Sequence, residues 1–188
     1  MAIRQKISML CCAGTLLCAM LMPGAAQASI NIYMLIDGIE GDVTAQGHEN
    51  WIKVVSLGYG FNRQISATTG GAQRESSAPS GSEVKVLKNI DISTPALLME
   101  ALTGAAIRTV TIHFVNVGGQ ESQTFFELEL TDTLISAIRH SFLPDDQIVE
   151  SLNLDFAKIE WKLTPIDNEG KSGSPIPGGF DFAQNKGL

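Results

Sequence analysis

The side chains in this sequence that could do chemistry are few and scattered. Histidines stand only at His48, His113 and His140. No pair of them shares an element at the spacing that lets two imidazoles converge on one metal ion. His113 shares the polar face of an alternating run with Thr109 and Thr111, where a histidine ordinarily serves by hydrogen bonding. Asp37-Gly38-Ile39-Glu40-Gly41-Asp42 gathers carboxylates that would suit calcium, but it lacks EF-hand spacing and a closing glutamate. Glycine mixed with acid is ordinary turn chemistry, and a solvated turn is expected there. Glu127 and Glu129 are two apart and so share the outer face of a strand. Gly70-Gly71 has no strand-to-helix transition after it that could cradle a phosphate. Nucleophile-elbow and metal-helix motifs are absent from the sequence. The expectation is a protein without catalytic, cofactor or metal residues, and not an enzyme, whose work is done by its surfaces.

Composition narrows the partners. The chain has 188 residues and a formal net charge of −7, a balance that argues against nucleic acid and anionic lipid. Residues 1–28 read as an export signal: Arg4 and Lys6, an apolar core from Met9 to Met22, and Ala26-Gln27-Ala28 before Ser29. That core is short for a membrane span and no later run is longer, so no membrane partner is expected for the mature form. Cleavage would remove Cys11, Cys12 and Cys18, all the cysteines in the chain. The mature domain therefore stands on burial and association, not on disulfides. A secreted or periplasmic location follows if the signal is used.

The elements are organised around a strand–helix–strand unit, Val84 to Val117. Val84, Val86 and Leu87 open a short apolar run. Ser93-Thr94-Pro95 supplies a hydroxyl cap and a first-turn proline. Leu97, Leu98, Ala101 and Leu102 recur at helical spacing, and Gly104 suits a left-handed C-cap. Val110, Ile112 and Phe114 then alternate with polar residues, the period of a half-buried strand. Upstream, Ser29–Ile36 reads as a strand with Ile30, Ile32, Met34 and Ile36 on one face. Trp51–Phe61 reads as another, with Val55, Leu57, Tyr59 and Phe61 on one side and Ser56, Gly58 and Gly60 on a nearly bare side that should receive a neighbouring element. Residues 62–82 form a long Ser/Gly-rich loop.

Downstream, Gly118-Gly119 predicts a hairpin whose return strand is Phe126, Leu128 and Leu130. Residues 133–142 fit either strand or helical turn. In Ile148–Leu163 the apolar set changes parity, from Leu152, Leu154 and Phe156 to Ile159, Trp161 and Leu163. A bulge or a crossing between sheets at Ala157 would produce that slip. Residues 166–188 are linker-like in composition, with Phe180 and Phe182 placed to dock. Many short strands with one helix give a mainly β fold, a barrel or sandwich with a single flanking helix, in one domain over 29–165.

With the elements placed, YMLIDGIEGD (33–42), WIKVVSLGYG (51–60), VLKNIDISTPALLM (86–99) and LNLDFAKIEW (152–161) resemble, in order, the Hcp tube proteins of type VI secretion. The Lys-x-Ile-Asp-x-Ser-x-Pro passage is the most specific part. The resemblance implies a two-sheet β-barrel with one flanking helix that closes into a homohexameric ring. Such rings stack into a tube under a VgrG spike, are driven out by a contractile sheath, and carry effector cargo in the lumen. Ser56, Gly58 and Gly60, the loop glycines Gly70 and Gly71, and Phe180 and Phe182 are the expected oligomer contacts. The export signal departs from the family pattern. It leaves two alternatives: a translation start at Met20 or Met22, giving a cytoplasmic protein secreted by the type VI system, or an exported Hcp-like binding module without tube function.

Overall fold

The computed structural model describes residues 29–65, 77–81, 83–118, 121–144, 148–167 and 169–188. The export-signal segment and Gly70-Gly71 lie outside the described residues. The elements in order are β1 (Ile30–Ile36), β2 (Ile52–Gly58), β3 (Phe61–Asn62), β4 (Ser80–Gly81), β5 (Val84–Asn89), α1 (Thr94–Thr103), β6 (Ile107–Asn116), β7 (Gln123–Phe142), β8 (Ile148–Leu163), β9 (Ile176–Asp181) and β10 (Lys186–Gly187). The strands run β8-β5-β2-β1-β6-β7, and β7 closes back onto β8. The result is a six-stranded antiparallel barrel with the mainly β character the sequence predicts. Closure removes the open edges that would template aggregation.

β8 is the strand that makes this geometry possible. It keeps β7 along one edge from Ile148 to Leu163. On its other edge it pairs with β5 from Val149 to Leu154 and with β9 from Lys158 to Leu163. The change of partner falls at Ala157, where the parity slip places it, and the Phe182 N–H donates to the Ala157 carbonyl at 2.9 Å. β7 flips in step: Leu128 and Leu130 are buried, then Thr133 and Ile135. Asp132, with φ of 51°, takes up the flip. β8 has no register shift against β7 at Ala157, so the slip there goes with its change of neighbour from β5 to β9 within one sheet. The bulge lies on β7, between Ile135 and Ala137, and residues 133–142 are strand throughout.

The barrel is filled by Met34, Ile36, Ile52, Val54, Val84, Val86, Ile112, Leu128, Leu130, Leu152, Leu154 and Ile159, with Leu97 of α1 inserted from the side. α1 is ten residues long, carries Pro95 in its first turn, and ends at Gly104 with φ of 67° and its N–H on the Glu100 carbonyl. Its apolar face is narrower than the leucine spacing suggests, because Leu102 is 80% exposed. Ser93 does not cap with its side chain; its hydroxyl goes to Asp91. β2 departs from the even alternation expected of it. A register shift between Val54 and Ser56 leaves Val54 buried and Val55 exposed, so the inward set is Ile52, Val54 and then Leu57.

Among the described residues, Thr133 Oγ1 is buried with no hydrogen-bond partner. An unsatisfied buried hydroxyl carries a desolvation cost that an isosteric methyl does not. Thr133→Val should therefore raise folding stability by about 1 kcal/mol, read as a higher urea midpoint at unchanged slope; a lower midpoint would show that the hydroxyl is satisfied.

Candidate functional site

Surfaces come first, since the sequence offers no reactive constellation. Ser56 and Gly58 of β2 face solvent beside Lys85 and Leu87 of β5, Arg139 of β7, and Ser151 and Asn153 of β8, around an open groove of about 420 Å3. Among the described residues nothing fills it: a Cβ built on Gly58 meets no atom within 4 Å. The neighbouring element expected on this bare face is not among the described residues. Gly60 is half-buried in the turn between β2 and β3. Phe180 and Phe182 lie on their own barrel. Phe180 pairs with Ile159 in the β8–β9 ladder, and the Phe182 ring packs on Phe61, Phe156 and Phe180. The segment read as linker-like is thus partly a strand added to the sheet.

Large apolar side chains are exposed in groups at the two ends of the β7–β8 ladder. At one end stand Ile90, Ile92, Phe142, Leu143 and Ile148, with Phe142 77% and Ile92 64% exposed. Phe142 pairs with Ile148, and the Ile90 N–H reaches the Ile148 carbonyl, so these residues are neighbours. At the other end Ile30, Leu163 and Ile176 are exposed, Leu163 being paired with Ile176. Phe126 and Phe142 mark the two ends of the β7–β8 ladder, roughly 50 Å apart along the strand at 3.3 Å per residue.

A buried charge cluster sits beneath the first of these patches. Lys88 keeps the inward phase of Val84 and Val86 and is fully buried. Its Nζ donates to Asp91 Oδ1 at 2.9 Å, Glu150 Oε1 at 3.0 Å and Thr94 Oγ1 at 3.3 Å. The second Glu150 oxygen is 2.7 Å from His140 Nε2, and Asp91 Oδ1 also accepts the Ser93 N–H at 2.9 Å. The cluster binds the start of α1 to β5, β7 and β8, which gives physical meaning to the Lys-x-Ile-Asp-x-Ser-x-Pro passage. Sequence reading missed Lys88 as a core residue, although its parity with Val84 and Val86 was there to be read.

The other polar cluster joins residues far apart in the chain. His48 Nε2 and His113 Nδ1 are 3.0 Å apart, and the His48 ring lies between Tyr33 (4.6 Å, stacked) and Trp51 (4.8 Å, edge-on). Burial holds both imidazoles below their ordinary range; for His113 the Glu127 carboxylate pulls the other way. Among the described residues no group of three or more His, Cys, Asp or Glu could hold a metal ion, and no helix is long and apolar enough to cross a membrane.

Residues 33–163 match the family described as "Type VI secretion system effector, Hcp". The chain belongs to the Hcp family. This is a family of structural secretion proteins. A similar Hcp-family relative is Protein hcp1 of Pseudomonas aeruginosa, 26% identical over 105 residues. That match takes in 55% of this chain and spans 65% of the relative's length. The barrel is similar to a solved type six secretion system protein, with a TM-score of 0.81 at 21% identity, covering 85% of this chain and 100% of that one. It is also similar to Hcp1 from Salmonella typhimurium, with a TM-score of 0.70 at 21% identity, covering 85% of this chain and 99% of that one. At that identity the structural likeness speaks for the Hcp fold alone.

Proposed function

We propose that this Hcp-family barrel is a self-assembling structural subunit, without catalytic activity, that forms a ring, hexameric as the family resemblance implies, and stacks into the tube of a type VI secretion system. The observation that carries this reading is the pair of exposed apolar patches at opposite ends of the β7–β8 ladder. Two different patches on one molecule suit a heterologous contact, the kind that generates rings and filaments, and do not suit a two-fold dimer. The open face around Ser56 and Gly58 is the second candidate for coverage by a copy or by cargo. A VgrG spike, a sheath and effector cargo are the partners this reading entails. The domain is proposed as residues 29–165, with 166–188 as an appended segment.

Native mass spectrometry of the Ser29–Leu188 product at micromolar concentration tests it, with a six-fold mass expected. Phe142→Glu should remove burial worth about 2 kcal/mol at each contact and shift the mass towards the single chain while leaving the far-UV circular dichroism of the barrel unchanged. A wild-type protein that stays solitary overturns the proposal.

The Ala26-Gln27-Ala28 site favours a second reading, an exported Hcp-like module that kept the barrel and does not stack. Intact mass of the native product separates the two: a chain beginning at Ser29 supports export, and one beginning at Met20 or Met22 supports tube loading from the cytoplasm.

A further inference from the structure

The His48–His113 pair holds the connection between β1 and β2 onto the barrel wall. Gly41 N–H donates to the Asn50 carbonyl at 2.8 Å, Val43 N–H to Trp51 at 3.0 Å and Asn50 N–H to Val43 at 2.8 Å, so residues 41–51 form a closed turn of their own. His48, 8% exposed, attaches it to the wall, lodged against Tyr33 of β1, Trp51 and His113 of β6. Beside it lies a cavity of about 500 Å3 lined by Tyr33, Ala45, Gln46, His48, Val115, Glu121 and Ser122.

Protons can be counted along this chain of contacts. At one end the Gln46 backbone and the Glu49 carboxylate favour the charged form of His48. At the other, His113 Nε2 faces Glu127 Oε2 at 3.8 Å. Between them the two rings share one hydrogen bond. That bond needs one ring nitrogen to donate and the other to accept, which two neutral imidazoles already satisfy. The first proton taken up still leaves one donor and one acceptor facing each other, so the bond survives it. A second makes every ring nitrogen a donor, so the His–His bond is lost and two like charges face each other.

We propose that His48 and His113 form an acid-triggered latch, in which the second proton to enter the pair expels the 43–50 loop from the barrel wall and uncovers Tyr33 and Trp51. The charged groups around it set its direction. Glu127 of β7 favours one proton on His113, while Lys162 of β8, 2.7 Å from that carboxylate, opposes a further charge. Glu49 in the loop favours charge on His48, and its own carboxylate accepts from the Gly47 N–H. Lys53 of β2 lies over the Tyr33 ring at 4.8 Å, and Glu121 lines the cavity. Because burial lowers both imidazoles, the unfolded chain binds more protons than the folded one below the ordinary histidine value of about 6.5. Stability is therefore present above that value, falls as pH drops through it, and levels once the folded sites are filled.

Histidine-ring NMR and hydrogen exchange of the 43–50 amides, followed on the Ser29–Leu188 protein from about pH 7.5 to about pH 4.5, test this directly. The expected result is two proton uptakes separated by more than about one pH unit, with amide exchange in 43–50, after correction for the intrinsic pH dependence, rising at least about tenfold at the second and not at the first. His113→Gln should abolish that rise, and His48→Gln provides a second variant should the first fold poorly. Coincident titration of the two rings, an unchanged loop over the whole range, or the same rise in both glutamine variants overturns the latch.

Discussion

Lys88→Met should cost about 3–5 kcal/mol of folding stability, the usual loss when one partner of a buried ion pair is removed. The methionine keeps most of the stem, so packing is nearly conserved and the effect reports the charge. What remains is worse than a cavity: Asp91 and Glu150, both almost wholly shielded from water, lose the cation that sits 2.9 and 3.0 Å from them. Asp91 also holds the Ser93 N–H, so the entry to α1 should loosen and its first-turn amides should exchange faster. Lys88→Met combined with Glu150→Gln should recover part of the loss, since one of the stranded carboxylates is then gone. Urea unfolding of the three variants measures this, and a single-variant cost below about 1 kcal/mol would show that water reaches the cluster.

Gly41→Ala should cost about 3 kcal/mol, the upper end of what overpacking a rigid site exacts. A Cβ there would lie 2.3 Å from the Trp51 carbonyl oxygen and 2.8 Å from the Ile52 Cα, atoms of a backbone already fixed by the Gly41–Asn50 and Val43–Trp51 hydrogen bonds. No rotamer change relieves such a contact. Gly58→Val is the control: among the described residues nothing stands within 4 Å of its Cβ, so monomer stability should move by no more than about 0.5 kcal/mol. If a copy of the chain covers that face, the same substitution weakens association. Equal unfolding midpoints for Gly41→Ala and the parent would mean that the turn opens at little cost.

The assembly reading and the latch concern different surfaces. Phe142 and Ile148 lie at one end of the β7–β8 ladder, whereas His48 is on the β1–β2 connection. A protein that forms rings and shows no acid response would retire the latch alone. One that releases its loop while remaining solitary would retire the assembly alone.

The sequence by itself determined the features whose cause lies within a few residues. Pro95 and Gly104 bound the helix, the alternation of Val110, Ile112 and Phe114 made a strand, and the parity change around Ala157 located the point where β8 leaves β5 for β9. Each of these is a local preference of backbone angles or a local side-chain period, so it is written in consecutive residues. The tertiary structure alone decided that β7 closes onto β8, that Gly41 is crowded while Gly58 is open, that Phe182 packs on Phe61 and Phe156, and that His48 meets His113 from 65 residues away. Those outcomes depend on which strands become neighbours, a balance of burial and pairing summed over the whole barrel. Lys88 marks the boundary between the two. Its inward phase was legible, and Asp91 lies close in sequence, but the second carboxylate that compensates the buried charge, Glu150, arrives from another strand.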